Sequence, residues 1–468
     1  MFTRTIPLPV AAHEAFDWHE RPGAFERLAP SWEKIRVVRR EGGIRDGGVL
    51  QMQLKRGPLW LTWEALHHDY VYGSQFVDVA TRSPFSQWRH VHKAEPRDTG
   101  CILHDEITYR LPLHPLTSWF AGPLVRRELE RMFRQRHART HHDLVRHKEM
   151  SMERSLKVAV TGSSGMVGRA LCSFLSGGGH EVWRVVRGRK SADGVPSAGE
   201  IMWDPAKGEI DRDALEGLDA VVHLAGAGIA DQRWNDARKR VILDSREQGT
   251  RVLCEALAAL ERPPAVLISA SASGYYGASG DAPCDETSPA GDGFLAEVCV
   301  QWEAAAQPAR DAGIRVVHPR LGMVVSASGG ALERMLTPFR MGVGGKLGDG
   351  RQPISWISLD DTLAALLWLI TRDDAVGAYN LCAPAPVSNA VFTKALGRAL
   401  GRPTVLPVPG FAIRALFGEM GQQLLLEGRT VLPRRLIDEG FRFTHHTIDQ
   451  ALNVELGTGP VAGAASHG

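Results

Sequence analysis

The run Thr161-Gly162-Ser163-Ser164-Gly165-Met166-Val167-Gly168 places three glycines at a spacing that lets backbone wrap a phosphate. It follows the apolar stretch Leu156–Val160 and opens an amphipathic one, so it reads as a strand, a tight turn and a helix start. Gly162 permits the turn, Gly165 lets a pyrophosphate approach the backbone, and Gly168 lets the helix pack closely on its sheet. Free N–H groups at such a helix start favour negative charge. The first two glycines stand one residue further apart than in G-x-G-x-x-G, and a glycine triplet alone is weak evidence. Its position between strand and helix makes residues Thr161 to Gly168 a candidate dinucleotide loop.

The next strand sharpens the choice of nucleotide. Val182-Trp183-Arg184-Val185-Val186 ends at Arg187, with Arg189 and Lys190 close behind. An NAD site usually carries an acid at this strand end for the ribose hydroxyls. A basic residue suits the 2′-phosphate of NADP(H), which arginine grips through two donors. A plain solvated run of charges is the competing reading. Asp219–Gly226 (DAVVHLAG) reads as a third buried strand closing in a small-residue turn, with Ala225 and Gly226 leaving room for the adenosine half. His223 lies inside that strand and reads as structural.

Together the glycine loop, the H-L-A-G turn and the run from Arg233-Trp234 to Asp244-Ser245-Arg246 resemble the extended short-chain dehydrogenase/reductases, and within them the NAD-dependent epimerase/dehydratase-like proteins. Ser269–Gly277 (SASASGYYG), Phe294–Ala304, Gly329–Gly350, Ser355–Asp361 and the tail from Pro403 through Leu452 follow in the order of that family. The resemblance implies that Arg187 and Arg246 meet the cofactor phosphates and that Leu224 and Ala225 line its adenosine side. Short-chain reductases usually use a Tyr-x-x-x-Lys pair, in which lysine lowers the phenol pKa for proton exchange during hydride transfer. None of the six tyrosines here has lysine four residues later, and Phe294 and Val298 stand where the pair is expected. Ser271, after the strand Ala265–Ser269, is the candidate hydrogen-bond partner for a substrate oxygen, with Ser273 as an alternative. Tyr276, or Tyr275 beside it, is the candidate phenol. Glu297, Cys299 and Glu303 lie on the helix that normally carries the missing pair, where a core thiol and solvated glutamates are the plainer readings. Lys346 or Arg351, around the glycine-rich Gly342–Gly350, could meet a substrate phosphate or carboxylate on a mobile loop. His137, His141 and His142 share a helix, but without a companion motif they do not make a metal site.

The elements that position these residues form two modules. Of 468 residues, 44% are apolar and 23% charged, which excludes disorder as the main description. Lysine and arginine exceed acids by only two, so nucleic acid is not an expected partner. The first 150 residues carry 12 of the 18 histidines, and 23 basic against 18 acidic side chains, while the remainder carries 32 against 35. Short alternating runs separated by turn clusters read there as an antiparallel meander: Ile35–Arg40, Val49–Lys55, Leu59–Leu66, Tyr70–Val79, Ser86–Ala94 and Cys101–Arg110. They follow an extended start, Phe2–Val10, and a helix from His13 to Phe25. A long helix from about Ser118 to His147 closes the module. The pattern resembles the helix-grip fold of START-like (polyketide cyclase-like) proteins, which implies a cavity for a hydrophobic ligand; an interior filled by side chains is the alternative.

Beyond a polar linker at 149–155, strands alternate with the helical stretches Met166–Ser176, Asp236–Ala259 and Leu295–Ala312, which demands a parallel sheet covered on both faces. The domains expected are therefore a helix-grip module at 1–148, an α/β Rossmann-type doubly wound domain at 156–402 and a small C-terminal domain at 403–455. Six widely spaced cysteines fit reduced thiols, the start has no apolar core of signal-peptide length, and Leu363–Ile370 is too short to span a bilayer, so a cytoplasmic protein is expected. Two functions remain open. One is an NADP(H)-dependent oxidoreductase or epimerase-like enzyme for a small substrate; the other is an NADP(H)-binding sensor without turnover.

Overall fold

The computed structural model describes residues 1–113, 116–152, 154–187, 199–278 and 282–459; Arg189 and Lys190 lie outside the described residues. The chain forms two compact units. One comprises Met1–Ser151, Ser176–Gly179 and Asn453–Gly468, and the other Met152–Leu175 and His180–Leu452.

Seven strands build the first unit: β1 (Phe2–Leu8), β2 (Ile35–Glu41), β3 (Val49–Arg56), β4 (Leu59–Val71), β5 (Gln75–Arg82), β6 (Gln87–Arg97) and β7 (Gly100–Arg110). They pair in the order β1-β7-β6-β5-β4-β3-β2, a meander closed by β1 running antiparallel to β7. The helix expected from His13 to Phe25 is two, α1 (Ala12–Glu20) and α2 (Ala24–Leu28). Pro22 cannot donate to a continuing helix, and Gly23 turns the chain with φ 96°. Helix α3 (Leu116–Glu149) packs Leu129 and Phe133 against Phe2, Trp63, Trp88 and Ile107. Further along, its Leu144 joins Ile6, Phe16 and Phe76. This is a helix-grip fold. Its interior is not filled by side chains: a cavity of about 860 Å³ remains, bounded by Met52, Leu61, Trp63, Phe76, Leu129 and Met132 among others.

In the second unit the strands include β8 (Lys157–Thr161), β9 (Glu181–Val186), β10 (Glu200–Asp204), β11 (Glu209–Ile210), β12 (Ala220–His223), β13 (Val266–Ser269), β14 (Ser271–Ala272), β15 (Pro283–Cys284) and β16 (Arg315–Leu321). The main sheet runs β11-β10-β9-β8-β12-β13-β16, with β14 and Gly377–Leu381 both on β16. All these pairings are parallel except β10 with β11. Helices α4 (Met166–Gly177) and α5 (Asp236–Ala258) follow β8 and β12. The chain leaves β8 for β9 on one side and returns to β12 on the other, which opens a crevice at the carboxyl ends of β8 and β12. This is a Rossmann-type doubly wound sheet. The helix expected over Leu295–Ala312 is again two, α6 (Phe294–Ala304) and α7 (Gln307–Asp311), with Pro308 in the first turn of the second. Strand β10 has no counterpart among the sequence expectations, although Ile201 and Trp203 on it are buried.

Helix Leu359–Thr371 is buried along nearly its whole length. Ser358 caps it, and its fully buried Asp361 accepts from Thr444 N (2.7 Å) and His445 N (3.1 Å). The pair Asp360–Asp361 thus begins a helix and ties down the C-terminal segment. Among the described residues no helix is long and apolar enough to cross a membrane.

Candidate functional site

Gly162 occupies the crevice between β8 and β12 with φ 65°. A Cβ there would lie 2.8 Å from the Leu224 carbonyl and 2.9 Å from Ala225 N, so the two loops meet backbone to backbone and only glycine fits. At Gly168 a Cβ would come within 2.2 Å of Gly162 O, which presses α4 onto the loop. Around Gly165 only that same carbonyl lies near, at 3.2 Å, leaving its other side open to a ligand. Ser163 is buried, Ser164 is exposed, and Met166 and Val167 at the start of α4 are half-buried.

Thr161 holds the two loops together. Its Oγ1 accepts from Leu224 N (3.1 Å) and Ala225 N (3.2 Å) and lies 2.7 Å from His223 Nδ1. A hydroxyl has one proton; with two N–H groups pointing at this oxygen, the proton goes to Nδ1. His223 is therefore the Nε2–H tautomer and donates to Thr250 Oγ1 at 3.0 Å. Burial, reinforced by the Arg246 charge, holds the His223 pKa down at about 3. The imidazole is neutral and braces the crevice from inside the sheet.

Arg246 donates from Nη1 to Ala227 O (3.0 Å) and Ile242 O (3.1 Å), and its guanidinium lies 4.8 Å from the Trp302 ring centre. Burial brings its pKa down to about 10. A Cβ on Gly226 would meet this guanidinium at 3.0 Å, so Arg246 shapes the turn that Ala225 and Gly226 begin. Arg187 stands exposed directly after β9.

Beyond the crevice, Ser271 and Tyr276 are both buried and enter one network. Register sets Ser271 of β14 opposite Arg320 of β16. Arg320 grips Glu303 of α6 through two bonds of 2.9 Å, and Ser271 Oγ donates to the same carboxylate at 2.7 Å. Burial pushes the Glu303 pKa up, but Arg320 outweighs it and holds the carboxyl below its ordinary value. Tyr276 donates its phenol proton to Asn380 Oδ1 (2.7 Å) and accepts from Arg320 Nη1 (2.9 Å); burial raises its pKa. Its proton is committed inside the protein. Tyr275 is half-buried, with its ring 3.4 Å beneath the Arg320 guanidinium. The Cys299 thiol, pushed up to about 11 by burial and then by Glu303, is a core group.

With this geometry in view, the comparisons decide the family. Residues 158–382 match the NAD dependent epimerase/dehydratase family, residues 408–454 a domain of unknown function (DUF1731), and residues 1–144 the polyketide cyclase/dehydrase and lipid transport family. An epimerase family protein of Mycobacterium bovis is 48% identical over 295 residues, which are 63% of this chain and 96% of that relative. The chain belongs to the epimerase family. Human epimerase family protein SDR39U1 is 35% identical over 64% of this chain and 98% of its own length. The crystal structure of its isoform 2 with NADPH superposes with a TM-score of 0.58 at 35% identity, covering 64% of this chain and 98% of that one. A crystal structure described as the nucleoside-diphosphate sugar epimerase from Corynebacterium glutamicum covers 99% of this chain and 91% of its own, with a TM-score of 0.81 and 34% identity.

In this epimerase family chain two network residues, Arg320 and Asn380, have no counterpart among the sequence expectations, and neither does Arg429 beside Gly274. The signal for Arg320 is a charge inside the mostly apolar run Arg315–Leu321. Arg429 is mostly enclosed: its guanidinium lies 3.6 Å from where a Cβ on Gly274 would be, its Nε has no hydrogen-bond partner among the described residues, and burial lowers its pKa. The other candidates are not drawn in. Glu297 accepts from Gln301 on the exposed face of α6, Lys346 donates to Asp349 O, and Arg351 is 91% exposed. The Gly342–Gly350 stretch is no free lid, because Gly348 N and Lys346 O both bond Val408, at 2.9 and 2.8 Å. His137 and His142 bond different carboxylates, Asp105 and Asp143.

Proposed function

We propose that the α/β unit binds NADP(H) across the β8–β12 crevice and acts as an oxidoreductase or epimerase on a small substrate carrying an anionic group. The observation that carries this reading is the backbone-to-backbone fit of Gly162 against Leu224 and Ala225 at the sheet's switch point. The likeness to a human relative solved with NADPH supports it. When bound, NADP(H) supplies hydride transfer. Thr161 to Gly168 cradle its phosphates, Leu224 to Gly226 flank its adenosine, and Arg187 meets the 2′-phosphate. Arg246 holds the turn at Gly226 in shape.

At the reacting end, Ser271, whose proton goes to Glu303, accepts from a substrate hydroxyl at a position that Glu303 and Arg320 hold rigid. Tyr276 acts through Arg320 as a positioning group. Arg429, which has no bonded carboxylate among the described residues, provides a cation and meets the anionic group. The N-terminal cavity takes a hydrophobic ligand, which mass spectrometry of molecules co-purifying with the chain would reveal.

Titration with NADPH and NADH tests the cofactor assignment. Arg187→Asp is expected to weaken NADPH by about 1–3 kcal/mol and spare NADH, as loss of a charge-assisted contact does. Equal loss for both would refute the 2′-phosphate contact. Oxidation of NADPH against a panel of carbonyl compounds, abolished by Ser271→Ala and slowed by Tyr276→Phe, tests turnover. Tight NADPH binding with no turnover on any of them favours the sensor.

A further inference from the structure

One wall of the N-terminal cavity carries a cluster that the α/β chemistry does not use. His90 and His92, two apart on β6, point the same way, and Asp78 on β5 is paired in register with His90. All three line the cavity. Asp78 Oδ2 lies 3.2 Å from His90 Nδ1 and 3.4 Å from His92 Nε2, and the three donor atoms fall within 4.8 Å of one another. Both separations match the edge of a tetrahedron around a cation bound at about 2.0–2.1 Å, which is roughly 3.3 Å.

The atoms behind these donors are arranged for the same purpose. Asp105 on β7, opposite His92 in register, sits 2.9 Å from His90 Nε2 and 2.8 Å from His92 Nδ1. Each imidazole therefore turns one nitrogen toward Asp78 and the other toward Asp105; for His90 the bond from Nε2 to Asp105 is the carboxylate–histidine arrangement that fixes a ring for metal binding, while His92 Nδ1 lies near Asp105 without an aligned bond. Asp105 is anchored in turn by His137 Nε2 at 2.7 Å. His92 is stacked on Phe76 at 4.2 Å, and its buried Nδ1 has no aligned hydrogen-bond partner. Arg136, one of four arginines lining the cavity with Arg21, Arg40 and Arg56, feels the charges of both Asp105 and Asp78.

We propose that Asp78, His90 and His92 bind one divalent first-row transition-metal ion, zinc by its donor set, whose open coordination position faces the apolar cavity. Two imidazoles and one carboxylate leave such an ion at least one free position. The ligand recognised there has an oxygen donor, a carboxylate, carbonyl or phenolate, on an apolar body that fills the cavity.

The full-length chain, stripped with a chelator and reloaded with Zn²⁺ or Co²⁺, tests this. We expect one ion per chain retained through gel filtration, and for Co²⁺ the visible absorption of a low-symmetry nitrogen–oxygen site. Asp78→Asn and His92→Ala should each lower affinity at least 100-fold, about the upper end of what removing a supporting partner does, and Asp105→Asn should lower it about 10–100-fold. His141→Ala should change nothing. No stoichiometric uptake by the wild type overturns the proposal, and so does uptake that survives Asp78→Asn and His92→Ala, because surface histidines would then hold the metal. The wild-type Co²⁺ spectrum does not depend on whether a variant folds: octahedral aquo-like absorption alone overturns the site.

Discussion

Replacing Thr161 by valine keeps the shape of the side chain and removes one oxygen at the centre of the nucleotide crevice. That oxygen accepts from Leu224 N and Ala225 N and donates to His223 Nδ1. Thr161 and His223 have no solvent exposure, so water cannot replace what is lost there. Each buried polar group left without a partner costs about 1–3 kcal/mol. The two amides belong to half-buried residues and count at the low end, so the change should destabilise the α/β unit by about 3 kcal/mol. For a unit of about 300 residues that is a fall of about 5 °C in Tm. Thermal melts of the full chain and titration with NADPH are the assays. The Leu224–Ala225 turn, released from the β8 end, should also bind NADPH more weakly. Thr161→Ser keeps the oxygen and should restore NADPH binding at a small cost in stability. If Thr161→Val melts within 1 °C of the wild type and binds NADPH equally, the hub does not exist as described.

The remaining predictions follow from single contacts. Gly162→Ala forces a Cβ into the Leu224 carbonyl at positive φ, which costs about 1–2 kcal/mol from the backbone alone; it should lower NADPH affinity more than about tenfold, and unchanged affinity in a titration would refute the close approach. Glu303→Ala strands Arg320, whose side chain is 6% exposed, and should cost about 3–5 kcal/mol, read as the urea midpoint of the α/β transition. His223 and His318, held by burial at about 3 and about 4, stay neutral in the fold while the unfolded chain takes up protons below about pH 6.5. Stability is therefore full above that pH and is lost as pH falls toward the folded values, by about 2 kcal/mol for each histidine between pH 6.5 and 5. Hydrogen exchange in the peptide Ala220–Leu224, corrected for its intrinsic rate, should show that loss; a flat profile over this interval contradicts the buried neutral state.

Local patterns carried much of the organisation. The nucleotide loop could be read because its parts are adjacent: strand, glycine turn and helix start occupy consecutive residues, and Gly162 and Gly168 do what their spacing implies. Alternation along β2 to β7 disclosed the meander, since side chains two apart share a face. Breaks were harder to see. The Pro22–Gly23 and Pro308 interruptions lie inside apolar periodicity that continues across them, so each pair of helices looked like one.

By itself, then, the amino-acid order determined the two kinds of module, the doubly wound sheet and the glycine turn at the end of β8, because each depends on contacts between near neighbours in the chain. Only the tertiary structure decided which side chains meet across strands. Glu303 and Arg320, Tyr276 and Asn380, and Asp78 with His90 and His92 are brought together by register and helix packing. A shift of one residue in any of those strands would turn the same side chains to the opposite face, and no local pattern in the sequence records which register wins.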